Sequence, residues 1–378
     1  MLLKRALPGC KQSGRQWNQQ LDGFFTDCGF TASMYDPCLY IKLHQGRTIL
    51  VGVEVDDMAM AGTIPDLDEV VASMKRKYEI TVDKNLSWFL NISITRDRAA
   101  RTLSMSQERY LINSLERFGM KDCKSAQTPA TLDPLLCTGP SVSVPMREAI
   151  GALLWLARMT RPDIQNALMR AARFSAAPNA QAWQAVKRIF LYLKGTMHFS
   201  LPLGSQNVET VKSPSPLYLN DLKGYADADY AGDLVERKST SGNLTMLGES
   251  PIAWSCSLQR CVSTSTAEAE LVSACAQAKD LVWIRSLLAS MSVQWLSEPE
   301  PTILFEDNTA AISMIKNTGG DQKRAKHIDI RYHYTRQQVS NGTILVQHCP
   351  TENMLADILT KPLAPQRHYE ITSKILTV

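Results

Sequence analysis

The chain has no apolar run approaching the length of a bilayer span, so no membrane-crossing helix is expected. Its start, Met1-Leu2-Leu3-Lys4-Arg5, lacks the apolar stretch of a secretory signal. Nine cysteines are scattered and none forms a CxxC pair, which excludes a zinc knuckle or finger. An odd, dispersed set without an export signal points to reduced thiols in an intracellular compartment. Cys256 and Cys261, the nearest pair, read as core filler. No internal repeat or low-complexity tract is present, so repeat arrays are excluded. Neither charge dominates, the net being +4. What is there is ordinary globular composition, 44% hydrophobic and 21% charged over 378 residues. That length suffices for two or three domains.

The charge is unevenly spread. Residues 1–121 carry 16 Lys and Arg against 14 Asp and Glu, residues 122–217 carry 10 against 5, and residues 218–378 carry 15 against 18. A basic middle beside an acidic end suits a protein that holds phosphates with one region and cations with another.

Three domains are expected, 1–121, 122–217 and 218–378. In the first, the apolar stretch Thr48–Gly62 reads as two strands meeting at Asp56-Asp57, an Asp-rich hairpin signal. Asp66 to Tyr78 reads as a helix, and residues 103–118 include another. Gln127–Pro145, rich in Pro, Thr and Ser, reads as a linker. Helices follow: one with Ile150, Leu153, Leu154 and Ala157 on a stripe, one opening at Pro162-Asp163, and one capped by Asn179. A second linker is expected over 204–216. The C-terminal part reads as a strand ending near Asp227, a hairpin turning at Gly248–Pro251, and a helix from Thr266 to Ser290. A strand Thr302–Glu306, a helix around Lys326–Ser340, a strand Thr343–Gln347 and a helix from near Glu352 complete it. Strands first, then strands alternating with helices, predict an α/β (α+β) fold with a mixed sheet flanked by helices.

Four acidic residues stand at strand ends or on the helices that follow: Asp227, Glu270, Asp307 and Asp357. Convergent carboxylates suit hard cations such as Mg²⁺ or Mn²⁺, and a two-metal carboxylate site is a common device for phosphodiester chemistry. Asp229 and Asp233 are expected to be solvated, because the chain should turn from Ala228 onward. Glu268 and Glu270 lie about 200° apart on a helix. Ser265-Thr-Ala-Glu268 fits a capping box, so Glu270 is the one expected at the site.

Blocks of the sequence occur in a recognisable order. They include Lys11-Gln-Ser-Gly-Arg-Gln-Trp17, Tyr35-Asp-Pro-Cys38, Val55-Asp-Asp57, Thr160-Arg-Pro-Asp-Ile164 and Tyr192-Leu-Lys-Gly-Thr196. Then come Tyr225-Ala-Asp-Ala-Asp-Tyr-Ala-Gly-Asp233, Lys238-Ser-Thr-Ser-Gly242, Ser265-Thr-Ala-Glu-Ala-Glu270, Lys326-His-Ile-Asp-Ile-Arg-Tyr-His333 and Ala356-Asp-Ile-Leu-Thr-Lys-Pro362. Over almost the whole chain this resembles the end of a copia-type retrotransposon Pol polyprotein.

The resemblance implies part of a reverse transcriptase palm and thumb over 1–121, a helical connection over 122–217, and a ribonuclease H-like domain with a five-stranded mixed sheet over 218–378. It implies that Asp227, Glu270, Asp307 and Asp357 hold two Mg²⁺ or Mn²⁺ ions and cut RNA in an RNA–DNA hybrid. Asp56 and Asp57 match the family's polymerase hairpin, but Glu54 stands at its tyrosine position. Pro8, Cys10 and Gly14 also depart from the pattern. The family's first catalytic aspartate and fingers would lie before the start of this chain, so polymerase activity is expected to be lost. His348 matches an accessory histidine of cellular ribonucleases H, and a plain strand-end histidine is the alternative. Lys323, Arg324, Lys326 and Arg331 are candidates for backbone phosphate contact, a solvated helix face being the alternative. No membrane partner is expected. The competing function is a catalytically silent nucleic-acid-binding remnant.

Overall fold

A computed structural model describes residues 9–100, 102–135, 139–204, 221–291, 300–316 and 326–378. The chain divides into two compact units: Met1–Leu90 with Trp283–Gln294, and Asn91–Val282 with Trp295–Val378. The α/β class with a mixed five-stranded sheet is as expected.

The first unit runs α1 (Ser13–Asp27), β1 (Thr31–Ala32), β2 (Leu39–His44), β3 (Arg47–Glu54), β4 (Asp57–Ala61), α2 (Ile64–Lys75) and β5 (Trp88–Phe89). β1 to β4 form an antiparallel sheet in sequence order. Alternation places Ile49, Val51 and Val53 of β3 on one face, where they meet Leu21, Phe24 and Phe25 of α1 and Val70 and Met74 of α2. The hairpin expected at Asp56-Asp57 is the β3–β4 turn. Glu54 pairs with Asp57 across it, and Val55 takes a φ of 53°.

The second unit opens with β6 (Ile92–Asp97) and β7 (Thr102–Ser106), then α3 (Glu108–Arg117), α4 (Met146–Met159), α5 (Gln165–Ala172), α6 (Ala180–Gly195) and β8 (Leu201–Gly204). The helical stripes pack on one another around Leu153, Leu156, Leu168, Val186 and Phe190. Asn179 caps α6, its side-chain oxygen accepting the Ala182 N–H at 2.7 Å. The segment between α3 and α4 contains no helix or strand among its described residues. Most of the second expected linker lies outside the described residues.

The large sheet is built from β9 (Leu222–Asp229), β10 (Thr240–Leu247), β11 (Ser250–Leu258), β12 (Thr302–Glu306) and β13 (Ile344–His348). Its order is β11-β10-β9-β12-β13. The first three strands are antiparallel, and β9, β12 and β13 are parallel. Helices α7 (Thr266–Ser290), α8 (Thr309–Lys316), α9 (Lys326–Ser340), α10 (Asp357–Thr360) and α11 (Pro365–Ile375) accompany it.

Two expectations are corrected here. β9 does not turn at Ala228; it continues to Asp229, which pairs with Thr240. The last helix does not run from Glu352. A short 3-10 turn covers Thr351–Asn353, α10 is only four residues long, and α11 is separate. Pro362 explains the break, because it disfavours helical backbone at the residue before it. Lys361 is accordingly extended, with φ −141° and ψ 156°.

α10 lies directly on β10 because Gly242 lets it. A Cβ there would stand 2.6 Å from Thr360 Cγ2 and 2.8 Å from Leu359 Cβ. The block Lys238–Gly242 thus has a packing role at its last residue.

Candidate metal centre

The site begins with strand register. Phe305 of β12 is level with Tyr225 of β9 in the parallel pair, and the two rings stack with centroids 4.9 Å apart. Two residues further along each strand path stand Asp307 and Asp227. A period of two keeps such positions on one side of the sheet. Asp227 lies within β9, opposite Gly242 of β10, and Asp307 directly follows β12, so the two carboxylates come from neighbouring strands.

α7 supplies the third carboxylate. Ser265 Oγ accepts the Glu268 N–H at 3.2 Å. Glu268 Oε2 in turn accepts the N–H and the hydroxyl of Thr264, each at 2.7 Å. The reciprocal cap forms, reaching Thr264 in place of the Ser265 N–H. One helical face then carries Glu270, Ser273 and Gln277 toward the sheet. Ser273 Oγ donates to the Asp227 carbonyl at 2.8 Å, and Gln277 Nε2 donates to Thr245 Oγ1 at 2.8 Å.

Glu268→Gln keeps an oxygen at the cap, so it is expected to cost about 1 kcal/mol or less and to spare activity. Glu270→Gln is expected to abolish activity. Denaturation midpoints and cleavage rates of the two variants, compared side by side, decide this. Equal losses of activity would overturn the division of labour.

Asp227, Glu270 and Asp307 each offer an oxygen, and these oxygens lie within 4.8 Å of one another. Among the described residues this is the one group of its kind. Asp357 stands outside it. Its Oδ1 lies 2.6 Å from Lys361 Nζ and its Oδ2 3.2 Å from Arg367 Nη2. Lys361 Nζ also lies 3.8 Å from Asp227 Oδ2, and Thr360 Oγ1 donates to that same oxygen.

The electrostatics follow from burial and crowding. Burial pushes Asp227 up to about 6, with Lys361 pulling it down and Asp357 and Asp307 adding to the rise. Burial, then Glu306, Asp227 and Asp307, raise Glu270 far above the carboxylate range. Glu270 Oε2 is buried with no hydrogen-bond partner among the described residues. An orphaned, buried carboxylate oxygen facing two more carboxylates is what a hard divalent cation satisfies. The donor set fits Mg²⁺ or Mn²⁺.

Two contributors carried no role in the sequence reading. Glu306, fully buried, has one oxygen accepting the Asn308 N–H at 3.2 Å and the other without a partner among the described residues. Burial raises it well above its ordinary range. Its only sequence signal was its place at the end of β12. Lys361 had a clearer one, since it lies four residues after Asp357.

Asp233 is a correction: it is buried, and its Oδ2 accepts Arg173 Nη2 at 2.7 Å. Asp229 is half-buried, its carboxyl raised by burial against the pull of Lys361 and Arg170. His348 is exposed at the end of β13, level with Glu306. Asp56 and Asp57 are exposed at the β3–β4 turn, where the indole N–H of Trp17 donates to the Val55 carbonyl at 2.8 Å. Lys323 and Arg324 lie outside the described residues, as does the side chain of Lys326. Arg331 Nη1 lies 3.5 Å from Cys261 Sγ. No helix among the described residues is long and apolar enough to cross a membrane.

Comparison with known proteins gives three consistent likenesses. Residues 1–132 match the family described as reverse transcriptase (RNA-dependent DNA polymerase). The chain is 33% identical, over 99% of its length, to the retrovirus-related Pol polyprotein from transposon TNT 1-94 of Nicotiana tabacum. It is 34% identical over 99% of its length to that from transposon RE1 of Arabidopsis thaliana. It spans 28% and 25% of those two relatives.

Proposed function

Because the chain belongs to the copia-type retrotransposon Pol polyprotein family, we propose that it is a metal-dependent nuclease that cuts the RNA strand of RNA–DNA hybrids. Residues 218–378 form the nuclease part, 122–217 a helical connection and 1–121 the reverse transcriptase part. The observation that carries the reading is the group of buried Asp227 and Glu270 with half-buried Asp307, whose oxygens lie within 4.8 Å of one another, Glu270 Oε2 having no hydrogen-bond partner among the described residues.

A bound divalent cation supplies an activated water and neutralises charge at the leaving oxygen. The chain's own residues do the positioning. β9 carries Asp227, the residue after β12 is Asp307, and the α7 cap sets the rotation that brings Glu270 in. The burial of Asp227 and Glu270 strengthens their electrostatic hold on a cation. Selection of RNA over DNA requires contact with the 2′-hydroxyl, and Arg331 on α9 is the proposed contact to the backbone of the hybrid among the described residues.

A second reading, a silent nucleic-acid-binding remnant, is favoured by one observation: Asp357 is held by Lys361 and Arg367 and not by the carboxylate group. A labelled hybrid distinguishes the two. The chain is expected to release RNA fragments with Mg²⁺ or Mn²⁺ and none with a chelator. Binding without metal-dependent cutting would establish the remnant. In the same preparation, primer extension is expected to be absent. Glu54 sets a further negative charge opposite Asp57, and these residues join no carboxylate group among the described residues. Templated product above a no-enzyme control would overturn that part.

A further inference from the structure

Lys361 is placed as an internal cation. Its side chain is 37% exposed, while the two carboxylates its ammonium approaches are each 3% exposed. The head lies 2.6 Å from Asp357 Oδ1 and 3.8 Å from Asp227 Oδ2. Three features fix it there. Pro362 holds the Lys361 backbone extended, Thr360 beside it bonds to Asp227, and Gly242 lets the whole α10 turn sit on β10. Arg367 takes the other oxygen of Asp357 at 3.2 Å. The carboxylates thus fall into two sets: Asp227, Glu270 and Asp307 face one another, and Asp357 faces two cations of its own segment.

We propose that the Lys361 ammonium occupies the position between Asp227 and Asp357 that a second divalent ion requires. The protein then holds one ion tightly at Asp227, Glu270 and Asp307, and a second ion enters only by displacing Lys361. The inference rests on the metal-centre reading above and deepens it. A like charge fixed between two carboxylates opposes a cation entering there, and neutralises charge that would otherwise attract it.

The test is a Mn²⁺ titration of the full chain, followed by calorimetry and by the resonance signal of free Mn²⁺. Wild type is expected to bind one ion tightly and a second at least tenfold more weakly. Lys361→Met keeps the apolar stem and removes the charge; its second ion is expected to tighten at least tenfold while the first changes little. Lys361→Arg is expected to behave as wild type. Two ions of comparable affinity in wild type would overturn the proposal without any variant. So would a second-ion affinity unchanged in Lys361→Met, with the first ion still bound. No Mn²⁺ binding to wild type at all would sink the metal-centre reading itself, and this inference with it.

Discussion

Asp307→Asn is expected to lower cleavage of a hybrid by at least about a thousandfold, roughly 4 kcal/mol of transition-state stabilisation, while the chain stays folded. The carboxylate follows β12 directly and belongs to the group whose oxygens lie within 4.8 Å. Its Oδ2 accepts the Thr351 hydroxyl at 3.0 Å, a bond that the amide oxygen of asparagine can keep. Removing one negative charge from a crowded site relieves repulsion, so without metal the variant should be at least as stable as wild type. With metal the order reverses. A ligand that binds only the folded state stabilises it by about 2.7 kcal/mol at a hundredfold excess over its dissociation constant. Wild type should show such a gain with Mn²⁺, and Asp307→Asn much less. Thermal melts with and without Mn²⁺, beside the cleavage assay, check both halves. Full activity in the variant, or an equal gain in melting temperature, would remove Asp307 from the site.

Asp163→Ala is expected to be the most destabilising single change in the helical part, costing about 3–5 kcal/mol. Arg161 and Asp163 are 3% and 1% exposed. The guanidinium grips the carboxylate with both prongs, Nε to Oδ1 at 2.9 Å and Nη2 to Oδ2 at 2.7 Å. Its Nη1 donates to the Thr196 carbonyl at 2.9 Å, and the Tyr192 hydroxyl donates to Asp163 Oδ2 at 2.7 Å. Deleting the carboxylate strands a buried positive charge and a phenol together. The paired replacement Arg161→Met with Asp163→Leu removes both charges, and it should recover most of the loss. Urea midpoints of the single and double variants measure this. A double variant no more stable than Asp163→Ala would show that packing, not the stranded charge, sets the cost.

The contrast between these residues shows what the amino-acid order determined alone. α7 at Thr266–Ser290, β12 at Thr302–Glu306 and α9 at Lys326–Ser340 were legible because period, turn residues and caps act within a few positions. Glu270 was separable from Glu268 for the same reason, since a cap and a helical rotation are local. Asp227 and Asp307 were legible as candidates from their places at strand ends and in their blocks. Their proximity came from the β9–β12 register, a pairing across about 80 residues of chain.

Other features could not be read along the chain. Asp233 looked like a solvated turn residue until Arg173, 60 positions away, closed on it. Asp229 lies on a strand that continues only because Thr240 pairs with it. Asp357 was expected among the metal ligands, yet Lys361, Arg367 and the Pro362 break set it apart. Burial of a charge, and the partner that makes burial tolerable, depend on which distant segments meet. Local sequence sets each element's conformation, but only the assembled sheet and its covering helices decide which carboxylates stand together and which are paired with a basic side chain.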